Sequence, residues 1–103
     1  MKLENGYTLN NGSLFSEDLH LYNSDGYIVL SYCKYSAFDS LTFYFQYIDD
    51  EECVNTILKL LKILHETRLI PFSPKDLLPA LEAGYDVCSV LVNTDGDIEY
   101  TGF

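Results

Sequence analysis

Leu41-Thr42-Phe43-Tyr44-Phe45-Gln46-Tyr47-Ile48 runs directly into Asp49-Asp50-Glu51-Glu52, and then into apolar residues at Val54, Ile57, Leu58, Leu61 and Leu64. Across that junction the apolar period changes from two to about 3.6. Before it, Leu41, Phe43, Phe45 and Tyr47 share one face of an extended chain, read as the core face. Thr42, Tyr44, Gln46 and Ile48 share the other. After it, the spacing predicts a helix from about residue 50 to about residue 67, ending before Pro71. Cys53, Leu60 and Ile63 widen its apolar stripe, so the helix is expected to be largely buried. Carboxylates at its start and Lys59, Lys62 and Arg68 towards its end complement the peptide dipole.

Working outward, Tyr27 to Cys33 is rich in β-branched and aromatic residues and reads as a strand. With a shorter strand over Asp18 to Tyr22 and the turn Asn23-Ser24-Asp25-Gly26, it forms a hairpin. A further strand near Tyr7 to Leu9 is cut off by Asn10-Asn11-Gly12, and Ser36 to Ser40 reads as a loop. Downstream, Ser73-Pro74-Lys75-Asp76 opens a short helix, with Ser as cap and Pro in the first helical position. Pro79 is expected to kink or end it, and Gly84 to stop it. Asp86 to Val92 and Asp97 to Thr101 form a closing hairpin around Asn93-Thr94-Asp95-Gly96. The fold class is therefore α+β, in the order β-β-β-β-α-α-β-β. An antiparallel sheet of four to six strands carries one long and one short helix on one face, as a single domain over residues 1–103.

The chain of 103 residues suits one domain, and its 48% hydrophobic content is enough to fill one core. Nine Tyr and six Phe argue against disorder. No apolar run is long enough for a membrane helix, and Met1 to Gly6 lacks the apolar centre of a signal peptide. A soluble, cytoplasmic protein is expected, in the host cytoplasm if phage-encoded. Cys33, Cys53 and Cys88 lie in separate apolar stretches, which argues for small buried hydrophobes rather than disulfides or a metal motif.

Nothing in the chain argues for catalysis. Neither Gly-rich nucleotide signature is present, and His20 and His65 have no companion at ligand spacing. Asn93-x-Asp95-x-Asp97-x-Glu99 resembles a calcium loop but has Ile98 where the sixth-position Gly belongs. The expectation is a non-enzyme with no cofactor and no metal.

Charge is the outlier. Sixteen carboxylates face six basic residues, a net charge of −10, which disfavours direct contact with nucleic acid or anionic membranes and favours basic partners. Asp49, Asp50, Glu51 and Glu52 form one cluster; Asp95, Asp97 and Glu99 alternate and would point one way along an extended strand, with Tyr100 as an aromatic anchor. These eight residues are the candidate partner-binding set. The function expected is a small acidic inhibitor of a basic nucleic-acid-handling protein, blocking it as a nucleic-acid mimic would, as in phage anti-CRISPR or anti-restriction proteins. An immunity protein neutralising a basic nuclease toxin uses the same physics. A small enzyme or ligand-binding domain with a site assembled from distant residues is the third reading. The C-terminal hairpin would leave a free edge, through which a homodimer is conceivable.

Overall fold

Two hairpin turns of the same construction organise the sheet. The N–H of Asn23 bonds the Tyr27 carbonyl at 2.8 Å, and that of Asn93 bonds the Asp97 carbonyl at 3.1 Å. In each turn the Asn side-chain oxygen accepts from the amides two and four residues on, at 3.0 and 2.9 Å. Gly26 and Gly96 close the loops at φ of 88° and 86°, a left-handed conformation that a Cβ disfavours.

The computed structural model describes residues 6–11, 18–48, 50–67, 72 and 74–102. Strands β1 (Thr8–Asn11), β2 (Leu19–Tyr22), β3 (Ile28–Lys34), β4 (Phe38–Tyr44), β5 (Val87–Asn93) and β6 (Ile98–Gly102) form one sheet. Their order in space is their order in the chain, and every neighbouring pair is antiparallel. Between β4 and β5 come a 3-10 turn (Phe45–Tyr47), helix α1 (Glu51–Glu66), a second 3-10 turn (Pro74–Asp76) and helix α2 (Leu77–Ala83). The α+β class and the element order follow the sequence reading.

Register explains the core. Leu9, Leu21, Leu30, Phe43, Cys88 and Gly102 are successive cross-strand partners over all six strands. Leu19, Tyr32, Leu41, Val90 and Tyr100 form a parallel row two residues away. Cys53, Ile57, Leu60, Leu61 and Leu64 of α1, with Phe72, Leu77 and Ala80, close over these rows in one cluster. Full burial of each large aliphatic or aromatic side chain contributes roughly 1.5–3 kcal/mol. The Phe72 ring meets Tyr32 edge-on, with centroids 6.1 Å apart.

Several boundaries differ from expectation. β4 begins at Phe38, inside the stretch read as a loop, and ends at Tyr44. The Tyr35 N–H bonds the Phe38 carbonyl at 2.9 Å, so the loop shrinks to Ser36 and Ala37. Phe45 to Tyr47 leave the strand as a 3-10 turn, in which the Tyr47 ring stacks on Tyr27, 4.8 Å between centroids and 4° between planes. β1 runs on to Asn11. Pro79 does not end α2; it lies in the helix's first turn, where N–H groups have no intrahelical partner. Ile63 is not part of the buried stripe but 58% exposed, and Lys59 and Lys62 stand on the solvent side of α1. Ser73, Arg68 and Pro71 lie outside the described residues.

Candidate partner-binding surface

Asp50 is first a structural residue. It caps α1, its backbone extended at φ −134° and ψ 166°, and its Oδ1 accepts the Cys53 N–H at 2.7 Å. Glu51 and Glu52 occupy the first turn of α1 and are exposed. Beside them the Tyr7 phenol is buried. Burial pushes its pKa well up, and its hydrogen bond to Cys53 and the nearby charges of Asp50 and Glu52 push further in the same direction. Asp49 lies outside the described residues.

The expected row of carboxylates at 95, 97 and 99 does not form. Asp95 belongs to the turn, Asp97 precedes β6, and only Glu99 lies in the strand. The physical reason is Asn93, whose side chain binds both Asp95 and Asp97 amides and curls this segment. Glu99 and Tyr100 project to opposite faces: Glu99 is exposed, while Tyr100 packs against the core cluster. All three carboxylates are nevertheless exposed.

The two acidic clusters also do not meet. Tyr44, which leads to α1, pairs with Val87, whereas Phe38 at the other end of β4 pairs with Asn93. The start of α1 and the Asn93–Asp97 turn thus lie at opposite ends of the sheet. Charge is instead concentrated in one run of the chain. Residues 77–102 build α2, β5 and β6 and contain Glu82, Asp86, Asp95, Asp97 and Glu99, with no Lys, Arg or His. All five are exposed. The same elements present Leu78, Leu81, Tyr85 and Ile98, respectively 58%, 39%, 42% and 50% exposed. Tyr85 lies directly over Gly102 of β6, where a Cβ would meet its ring.

Glu82 and the two outward leucines were not singled out from sequence. Leu77-Leu78-Pro79-Ala80-Leu81 is apolar at every position, so no helical face is readable there. The absence of cations after Lys75 was the available signal.

Other chemistry is sparse. His20 Nδ1 lies 3.1 Å from Ser31 Oγ, and His65 is exposed in the last turn of α1. Cys53 and Cys88 are buried thiols, as expected; Cys33 departs from expectation in being half-buried, its Sγ 3.7 Å from Ser31 Oγ. Among the described residues no three His, Cys, Asp or Glu side chains converge as metal ligands, and no helix is long and apolar enough to cross a membrane. An open groove of about 450 Å³ beside β1 and the Asn23–Gly26 turn is lined by hydroxyls and amides, with Tyr22 its one titratable side chain. No known protein family, curated protein or solved structure matches the chain.

Proposed function

We propose that this chain is a non-catalytic binding protein that docks on the basic surface of a nucleic-acid-handling protein and blocks it, in the manner of a phage anti-CRISPR or anti-restriction protein. One observation carries the reading: residues 77–102, which build α2, β5, β6 and their connections, hold five exposed carboxylates and no cation, together with four exposed large apolar side chains. Carboxylates steer a basic partner from a distance and fix its register. Leu78, Leu81, Tyr85 and Ile98 supply what charge does not, namely apolar area that slows dissociation once water is excluded. A surface that lay in the way of nucleic acid on its partner would need both.

The turn Asn93–Asp97 and Glu99 remain in the proposed contact, joined by Glu82 and Asp86. Asp50, Glu51 and Glu52 belong to α1, which also carries Lys59 and Lys62, and are left outside it.

The test is capture of the partner on immobilised protein, followed by association kinetics and a nucleic-acid-binding or cleavage assay on the captured protein. Association should slow by about tenfold or more between roughly 50 mM and 500 mM salt. The triple variant D95N/D97N/E99Q should lose association rate, and L81S with Y85A should raise the dissociation rate. A captured partner whose binding ignores salt and survives the triple variant, or direct binding of this chain to DNA or RNA, would overturn the reading.

A further inference from the structure

The face of the sheet turned away from the helices is nearly free of charge. Asn10, His20, Ser31, Thr42, Ser89 and Thr101 are successive cross-strand partners, one from each of the six strands. This row lies between the two apolar rows in register and therefore projects to the opposite side. Its flanks are Cys33, Ser40 and Leu91 on one side and Tyr22, Tyr44 and Val87 on the other. Burial pushes the Tyr44 phenol up, and Cys33 and Tyr22 add to the shift, so these side chains share one neighbourhood.

The chain carries 22 charged side chains, 16 acidic and 6 basic. On this face the strands place one of the described ones, Glu99, at the outermost strand. The hydroxyls at its centre already have partners: Thr42 Oγ1 and Ser89 Oγ lie 2.8 Å apart, and Ser31 Oγ lies 3.1 Å from His20 Nδ1. Groups bonded to each other can lose water without being left unpaired, so covering this face costs little.

We infer that a second copy of this chain covers the face, giving a dimer of two sheets packed face to face. This inference stands apart from the proposed partner and shares with that contact only Glu99, at the margin of the face. Among the described strand residues of this face a basic protein finds one carboxylate, Glu99, at the margin, and nucleic acid finds no Lys or Arg. A second copy with the same net charge is repelled by carboxylates on the other described surfaces, and this face is where repulsion is least. Six strands about 4.8 Å apart and averaging about 19 Å long give a footprint of at most roughly 550 Å², or about 1,100 Å² for the pair, since Val29, Ser31 and Ser40 on this face are already buried. That area is just below the roughly 1,200 Å² of standard stable interfaces and lies in the range of weak, reversible association. The outer edge of β6 is the weaker site for a second copy, because Asp97 and Glu99 flank it.

Sedimentation velocity over roughly 1–300 µM tests this, given the affinity expected for such an area. A dimer should form and should tighten several-fold between about 20 mM and 500 mM salt, because screening relieves the repulsion. The partner interface proposed above weakens over the same range, so the two readings fail separately. L91E should be monomeric with an unchanged circular dichroism spectrum. Wild-type protein supplies a second readout that needs no variant: Cys33 lies on this face, while Cys53 and Cys88 are buried controls. Its alkylation by iodoacetamide should slow at least several-fold as the dimer forms. A protein monomeric throughout, a dimer whose Cys33 reacts at the monomer's rate, or a dimer kept by L91E but lost in I98P at the β6 edge would each overturn the inference.

Discussion

Replacing Asp50 separates two roles that one carboxylate plays at the start of α1. Its Oδ1 accepts the Cys53 N–H at 2.7 Å, and its charge stands at the positive end of the helix dipole with Glu51 and Glu52. D50A removes both. Loss of the cap costs about 1 kcal/mol, and loss of the charge about 0.5 kcal/mol more at low ionic strength. In a domain of this size a deficit of about 1.5 kcal/mol lowers Tm by roughly 6–12 °C. D50N keeps an acceptor of equal capping quality and gives up only the charge, so it should lose about 2–4 °C. Thermal unfolding followed by circular dichroism measures both. Repeating it at about 1 M salt separates the terms: screening should erase the D50N deficit and leave D50A about 1 kcal/mol short. Equal losses for the two variants, or a D50A protein as stable as wild type, would refute the capping assignment. Partner association, where it occurs, should respond less to D50N than to D95N/D97N/E99Q, since Asp50 lies outside the proposed contact.

Two other consequences are open to direct measurement. At Gly102 a Cβ would stand 2.8 Å from the Val87 carbonyl oxygen and against the Tyr85 ring, so G102A should cost roughly 1–3 kcal/mol in urea unfolding, and adding Y85A should recover part of the loss. Stability should also fall at alkaline pH. Burial holds the Cys88 thiol and the Tyr7 and Tyr44 phenols above their ordinary values, so the unfolded chain ionises first. The folded state then binds more protons, and stability present below about pH 8.5 should be lost progressively above it; C88A should abolish the thiol's share of the slope.

What the sequence disclosed follows from which signals are local. Asn-x-Asp-Gly carries its own geometry: the Asn side chain and a left-handed Gly suffice to build a turn, and both hairpins were readable. The α1 stripe was readable because Ile57, Leu61 and Leu64 repeat at helical spacing over about two turns. The start of β4 was not, because Ser36 and Ala37 form a two-residue loop without Gly or Asn, and Asp39 and Ser40 are uncommon in strands. Its end was hidden for a different reason. Phe45 and Tyr47 alternate like strand residues, but they form a 3-10 turn in which Tyr47 stacks on Tyr27, twenty positions earlier, a contact no local pattern discloses. The proposed acidic row failed for a local reason that was present in the sequence: Asn93 serves two amides, and a segment so tied cannot stay extended through Asp97.

Topology turns a one-dimensional charge pattern into a surface. In this sheet the strands stand in chain order, so a run of sequence occupies a contiguous strip of the molecule. The cation-free run 77–102 therefore becomes one side of the fold rather than being interleaved with strands that carry Lys. A Greek-key order of the same segments would bring an earlier strand beside β6 and dilute that charge. Strand alternation acts at right angles to this: it sends the apolar rows towards α1 and α2 and leaves uncharged hydroxyls, amides and phenols on the other face. The run 77–102 thus concentrates charge and the far face of the sheet carries little, with Glu99 common to both, through two independent geometric rules. Ionic strength acts on the two in opposite directions, and that opposition is the means of assigning any interaction of this protein to one surface or the other.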